Sequence, residues 1–291
     1  MVGPEILRYA AFTTTPAGGN PAGVVLSAEG LDEAAMLDIA ADVGFSETAF
    51  LVGDAGPGSD DGVRHRTVRY YSPRAEVPFC GHATIATAVA LAHRVGPGTL
   101  VLDTRSGPVT VRTRWRDGAL QATLTSVPPR VVPVHDDDVE AALAALCWRR
   151  DELDPALPPR VAFAGASHLV LAAATRERLA ALDYDMDALD ALMAARGWTT
   201  VALVHRLGAV ELAVRNPFPP GGVYEDPATG AAAAAVGGWL ADLGTITPPV
   251  RLTLHQGEEM GRPSTLIVDV PADPALGVDV SGTAVPMGDP Q

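Results

Sequence analysis

Two stretches of this chain read as one device written twice. Cys80-Gly81-His82-Ala83-Thr84 opens the small-residue run Ile85–Leu91, and Asp226-Pro227-Ala228-Thr229-Gly230 opens the alanine-rich run Ala231–Leu240. In each, a glycine-containing turn with polar or acidic groups leads into a helix that carries almost no bulk. A helix without bulk suits an interior position, where strands can wrap closely around it. Its start presents backbone N–H groups with no intrahelical partner, and these attract a negatively charged group. The two starts are spaced by about half of the 291-residue chain. That spacing predicts a duplicated unit with a small acidic ligand held between the halves.

Composition narrows the classes. With 291 residues, 47% of them hydrophobic, the chain can bury one large core or two ordinary ones. No apolar run approaches the roughly 18 residues that cross a bilayer. Met1–Tyr9 lacks the basic and apolar segments of a signal peptide. The expectation is therefore a soluble cytoplasmic protein without membrane partners. Cys80 and Cys147 make no disulfide framework and no CxxC pair, and the histidines show no HExxH spacing, so no metal is expected. A net charge of −14 argues against nucleic acid. The basic stretches Arg64–Arg69 and Arg112–Arg116 read as solvent faces of strands. All 21 cationic residues are arginine. Without lysine there is no lysine Schiff base, hence no pyridoxal-phosphate catalysis of the usual kind, and no GK[ST] phosphate loop.

Alternation predicts strands at Glu5–Ala11, Val24–Leu26, Glu47–Val52, Val63–Tyr71, Thr99–Thr104, Val109–Arg114 and Ala119–Thr125. In the second half it predicts Val161–Phe163, Leu169–Ala173, Val201–His205, Ala209–Val214, Val250–Gln256 and Ser264–Val270. Helices are expected at Leu31–Val43, capped by Gly44, and at Cys80–Val95, Val139–Leu146, Arg176–Leu182, Met186–Arg196 and Gly230–Leu243. Asn20-Pro21 and Gly107-Pro108 read as turns, and Ser126–Pro133 as a stiff linker. The tail after Asp273 is rich in Pro and Gly, and is expected to pack on the first half or fray. Strands do not alternate regularly with helices, so a parallel doubly wound sheet fits badly.

Few residues can carry chemistry. Glu47 lies in Gly44-Phe45-Ser46-Glu47-Thr48-Ala49-Phe50, among apolar and small neighbours that favour proton transfer; the simpler reading is a charge at a strand's exposed end. His82 stands in the first turn of a helix, either as a neutral imidazole poised by the helix dipole or as a packed histidine. Asp226 reads most simply as a helix N-cap. Cys80 sits at a helix N-terminus, where a thiol ionises more readily.

In this order, Phe12 with Gly19-Asn20-Pro21-Ala22, Gly44–Leu51 (GFSETAFL), Tyr71–Leu91 (YSPRAEVPFCGHATIATAVAL), Glu225–Ala232 (EDPATGAA) and Gln256-Gly257 with Met260–Ser264 (MGRPS) resemble the PhzF-like (phenazine biosynthesis-like) family. The match covers both halves of the chain. The resemblance implies the diaminopimelate epimerase fold, an α+β architecture of two pseudo-symmetric domains. Each is a mostly antiparallel sheet or barrel curled around a central helix, with the active site in the cleft between them. The domains would be residues 1–127 and 128–273, with the tail 274–291 on the first. It further implies acid–base isomerisation of a small carboxylate-bearing metabolite, without metal or organic cofactor, in a homodimer. Glu47 matches the family's proton-moving glutamate, His82 its histidine and Asp226 its aspartate. Gly81 and Gly230 match the glycines of the two helix starts, and Asn20 and Ala231 fall among substrate-binding positions. Two departures stand out. Ala231 replaces a substrate-binding serine of the phenazine enzyme, which removes a hydroxyl. Pro227 stands where related two-thiol epimerases carry their second cysteine, although Cys80 matches the first. The leading expectation is thus a catalytic set of Glu47, His82 and Asp226 in an isomerase, with Glu47 as proton shuttle. His82, Asp226 and the two helix starts would hold the substrate and buffer charge in the transition state. The alternatives are an amino-acid epimerase using Asp226 or Cys80 as second acid, and a non-catalytic small-molecule binding protein on the same fold.

Overall fold

The computed structural model describes residues 3–53 and 63–288. The chain forms two compact units, Met1–Thr125 with Ser281–Gln291, and Ser126–Val280.

The first unit runs β1 (Leu7–Ala11), β2 (Asn20–Val25), α1 (Glu33–Val43), β3 (Glu47–Gly53), β4 (Arg64–Tyr71), β5 (Glu76–Val77), α2 (Gly81–Val95), β6 (Thr99–Thr104), β7 (Gly107–Arg116) and β8 (Ala119–Thr125). The strands are ordered β1-β2-β3-β4-β6-β7-β8. The ring closes through β18 (Asp279–Pro286), which lies beside β8 and also pairs antiparallel with β1. Eight strands thus form a closed barrel, which leaves no open sheet edge. Within it, β2–β3 and β4–β6 are parallel. The helix α2 packs against β1, β2, β3, β7 and β8. Every residue from His82 to Ala92 is buried. Nothing larger than Ile85 or Leu91 points outward from this stretch, so strands can approach from all sides. The two buried threonines satisfy themselves within the helix: the Thr84 and Thr87 hydroxyls donate to the carbonyls of Cys80 and Ala83, each at 2.7 Å.

The second unit runs β9 (Arg130–Pro133), α3 (Asp136–Ala145), β10 (Arg160–Phe163), β11 (Ser167–Ala172), α4 (Arg176–Ala180), α5 (Met186–Arg196), β12 (Thr200–Arg206), β13 (Glu211–Arg215), β14 (Pro217–Phe218), β15 (Val223–Glu225), α6 (Gly230–Asp242), β16 (Val250–Gln256) and β17 (Ser264–Val270). Its strand order is β9-β10-β11-β12-β13-β16-β17. The sheet curls, because α6 touches both β9 and β17 as well as β10, β11 and β12. A separate cluster packs α3, α4 and α5 on the sheet through Val139, Leu143, Leu146, Leu179, Leu189 and Met193.

The duplication read from the helix starts is visible in the topology. In the first unit β2 and β3 are parallel across α1, and β4 and β6 are parallel across α2. In the second, β11 and β12 are parallel across α4 and α5, and β13 and β16 are parallel across α6. The other strand pairs described are antiparallel in both, so each half is mostly antiparallel around one small-residue helix, as expected.

Local differences have physical reasons. The stiff segment Ser126–Pro133 contains β9, whose Val131 and Val132 pair with Ala162 and Val161. Prolines flanking this short strand obscured it, and β9 lies at the end of the strand order, where a missing N–H is tolerated. Asn20 and Pro21 begin β2 and Gly107 and Pro108 begin β7, so neither pair is a turn. The tail carries the eight-residue strand β18, although its last residues, 289–291, lie outside those described. Gly282 allows this: a Cβ there would stand 2.3 Å from the ring of Phe12, whose own N–H donates to the Thr283 carbonyl at 2.7 Å.

Candidate active site

Glu47 is delivered by the end of α1. Asp32 caps that helix by accepting from the Ala35 N–H at 2.8 Å, and Gly44 ends it in the left-handed conformation at φ 72°. The chain then enters β3 at Glu47, which lies opposite Ala22 of β2. Asn20 is buried at the start of β2, two residues before that partner. The preceding Gly19 has φ 67°, and a Cβ there would lie 2.3 Å from the Ala11 carbonyl oxygen. Only glycine permits this tight entry into the strand.

The start of α2 supplies the rest. Cys80 is the N-cap residue, and its sulfur makes no capping bond. It stands instead 3.4 Å from His82 Nδ1 and 3.7 Å from Nε2. His82 Nε2 lies 3.3 Å from Glu47 Oε2 and 3.4 Å from Ser46 Oγ. One imidazole therefore connects a carboxylate, a hydroxyl and a thiol. Its Nε2 is hydrogen-bonded to the Ser46 hydroxyl and lies within ion-pair distance of the Glu47 carboxylate. The ligand atoms of Glu47, Cys80 and His82 all lie within 4.8 Å of one another. Support comes from below. The Cys80 carbonyl accepts from both the Thr84 N–H and the Thr84 hydroxyl, and the hydroxyl in turn accepts from Tyr70 at 2.6 Å. Burial pushes the Tyr70 phenol well above its usual range, so it stays neutral and donates.

Asp226, Gly230 and Ala231 fall together in the turn that opens α6. The N-cap is Thr229, not Asp226. The Asp226 carboxylate accepts the Thr229 hydroxyl instead. Gln256 clamps the turn from β16: its Nε2 donates to the Asp226 carbonyl at 2.7 Å and its Oε1 accepts the Thr229 N–H at 3.1 Å. Next to it, Gly257 has φ 76°, and a Cβ would lie 2.8 Å from the Pro227 carbonyl and 2.4 Å from that of Arg262. The turn is also held from its approach. Glu225 is buried in a two-pronged pair with Arg215, with bonds of 2.9 and 2.5 Å, and Arg215 donates onward to the Ala180 carbonyl at 2.6 Å. Gly230 and Ala231 remain partly exposed, and neither brings a side-chain functional group of its own.

The arrangement thus pairs Glu47 with His82 in the first unit and builds a rigid, side-chain-poor helix start in the second. Sequence reasoning named these residues but missed three supports: Ser46, Gln256 and the Arg215–Glu225 pair. Ser46 and Gln256 lie inside the motifs that carried the resemblance. The ion pair left no local signal, since its partners sit on different strands.

Comparison with known proteins places the chain in a family. The family model described as phenazine biosynthesis-like protein matches residues 9–289. The chain is 33% identical to the uncharacterized isomerase YddE of Escherichia coli (strain K12), covering 97% of this chain and 96% of that protein. It is 30% identical to trans-2,3-dihydro-3-hydroxyanthranilate isomerase of Pseudomonas chlororaphis, over 96% and 95% of the two chains. The crystal structure of a Bacillus anthracis phenazine biosynthesis protein of the PhzF family superimposes with a TM-score of 0.87 at 25% identity, over 99% and 98% of the two chains. With its two repeated sheets, each around a small-residue helix, and its glutamate–histidine pair, the chain belongs to the phenazine biosynthesis-like (PhzF) family of isomerases.

Proposed function

We propose that this isomerase moves a proton between two carbons of a small carboxylate-bearing metabolite, by acid–base chemistry carried by its own side chains. The observation that carries the reading is the Glu47–His82 pair at the start of α2, with Oε2 and Nε2 3.3 Å apart. Glu47 as carboxylate takes a proton from an acidic C–H bond. The electron pair of that bond delocalises into the adjacent unsaturated system. Glu47, now protonated, returns the proton at a second carbon, and the double bond shifts. His82 orients Glu47 and stabilises its charged form. The start of α2 is assigned to an anionic substrate group and to charge that develops in the transition state.

Asp226 acts in this reading through its turn: it fixes Thr229 and so shapes the start of α6. Ala231 supplies no hydroxyl, so the dihydro-hydroxyanthranilate named for the Pseudomonas relative is not carried over to this chain. The test is deuterium incorporation from heavy water across a panel of small unsaturated carboxylates. Glu47→Gln keeps the shape and removes the base, and is expected to slow exchange by about 10²–10⁴-fold. Undiminished exchange in that variant refutes the assignment.

A second reading, epimerisation at one centre, is favoured by the Cys80 thiol 3.4 Å from His82 Nδ1. It predicts loss of optical activity without movement of a double bond, which chiral chromatography of the same reactions resolves.

A further inference from the structure

We propose that Tyr70 is a positioning residue for proton transfer: its hydroxyl, acting through Thr84 and the Cys80 carbonyl, sets where His82 stands relative to Glu47. The effect on turnover rests on the assignment of Glu47 as base; the effect on the His82 ring does not.

Glu47 and His82 come from different elements, the first residue of β3 and the second of α2. Their 3.3 Å contact holds only while the strand and the helix start keep their spacing. Tyr70 spans that spacing from β4. It pairs with Ala49, two residues along β3 from Glu47. Cross-strand partners share a face of the sheet, and so do alternate residues of a strand, which puts Tyr70, Ala49 and Glu47 on one face. From that face the Tyr70 hydroxyl reaches the Thr84 hydroxyl at 2.6 Å, and Thr84 donates to the Cys80 carbonyl at 2.7 Å. Cys80 is the N-cap of α2, two residues before His82. The strut thus runs from beside one partner to beside the other.

A role for Tyr70 in core packing alone leaves its hydroxyl unexplained. The Thr84 hydroxyl already has an acceptor inside its own helix, and the Thr84 N–H donates to the same carbonyl at 3.0 Å. Neither bond needs a residue on β4. Tyr70 is 1% exposed, and a phenylalanine there would keep the edge-on contact with Phe79, ring centroids 6.0 Å apart, with no polar group to bury. What the phenol adds is a directional link between the sheet and the helix start. A catalytic pair misplaced by about 1 Å loses on the order of 10²-fold in rate, so even a partial loosening of that link is measurable.

The test uses Tyr70→Phe, Thr84→Val and the double variant of the intact protein. The first readout is nitrogen NMR of isotope-labelled histidine rings, with His82→Asn to assign the His82 signals. Both single variants are expected to move the His82 ring signals and to leave those of His168, in the second unit, where they are. The second readout is deuterium exchange on whichever carboxylate of the panel exchanges fastest. Each single variant is expected to lower kcat about tenfold with KM changed by less than about twofold. Thr84→Ser, which keeps the hydroxyl, is expected to hold both readouts near wild type. The double variant separates positioning from stability, because it leaves no hydroxyl unpaired. Its melting temperature is expected to recover above that of Thr84→Val, while kcat and the His82 signals stay displaced. A kcat that recovers with the melting temperature overturns the proposal. The ring signals need no turnover, so unmoved His82 signals in the single variants overturn the strut whatever Glu47 does. Retained exchange in Glu47→Gln refutes the base and leaves the strut standing.

Discussion

His168 offers a measurable consequence of how the second unit is built. It lies on β11 with no solvent exposure. Its Nδ1 is 2.8 Å from the Thr200 hydroxyl, which itself donates to Asn216 Oδ1 at 2.9 Å. Thr200 has only one proton to give, so His168 Nδ1 must be the donor in the first bond. The ring is therefore the neutral Nδ1–H tautomer, and its Nε2 is buried without a partner among the described residues. Burial lowers its pKa to about 3, from an ordinary 6.5. The sign follows from linkage. Above pH 6.5 neither the folded nor the unfolded chain holds the proton, and the full stability is present. Below it the unfolded chain takes a proton that the native state refuses. Stability then falls by about 1.4 kcal/mol per pH unit until the folded pKa is reached. Between neutrality and pH 4.5 the loss is about 2.7 kcal/mol, two units of that slope. The perturbation is His168→Asn, whose amide can replace the Nδ1 donor but does not titrate. Urea unfolding at pH 7.5 and 4.5 would be followed by tryptophan fluorescence, since Trp148, Trp198 and Trp239 report on this unit. The variant will be weaker at both pH values, but its loss on acidification should be smaller than the wild type's by about 2–3 kcal/mol. Equal losses in the two proteins refute the argument, because every other titrating group is common to both.

Other perturbations test the supports of the site. Glu225→Gln leaves buried Arg215 without a counter-charge and should cost about 3–5 kcal/mol in a urea melt. Arg215→Met with Glu225→Leu should cost less than the single change, and a double variant weaker than the single would contradict the buried-charge account. Gly257→Ala, which presses a methyl onto the Pro227 and Arg262 carbonyls, should lower the melting temperature more than Gly261→Ala, where φ is 68° but nothing lies within 4 Å. Equal shifts would remove the close approach as the reason for Gly257. Ala86→Leu, at a fully buried position of α2, should destabilise by about 1–3 kcal/mol in the same melt, and a gain in stability would show that the strands do not wrap that helix closely.

How much was legible in the sequence differs from element to element. Helices α1, α2, α5 and α6 were readable because small or apolar residues recur with helical period and glycine or proline marks their ends. Strands such as β16 and β17 were readable from alternation. β9 and β18 were not, because Pro and Gly there serve an edge and a close approach and not a turn. The site was readable as residue types: a carboxylate among apolar neighbours, a histidine after a helix-opening glycine, an aspartate before a second one. Asp226 shows the limit, since a capping role could be guessed and only the fold assigns the cap to Thr229.

The sequence by itself determined the repeated small-residue helices, the glycine-opened starts and the absence of lysine chemistry, all of which are local properties of composition and period. Tertiary structure alone decided that β18 pairs with β1 to close the first barrel, that Gln256 clamps the Asp226 turn, and that Ser46 and Glu47 meet the His82 imidazole. The reason is physical. These contacts join residues distant along the chain, and their geometry is set by strand register and helix packing, which no short window of sequence encodes.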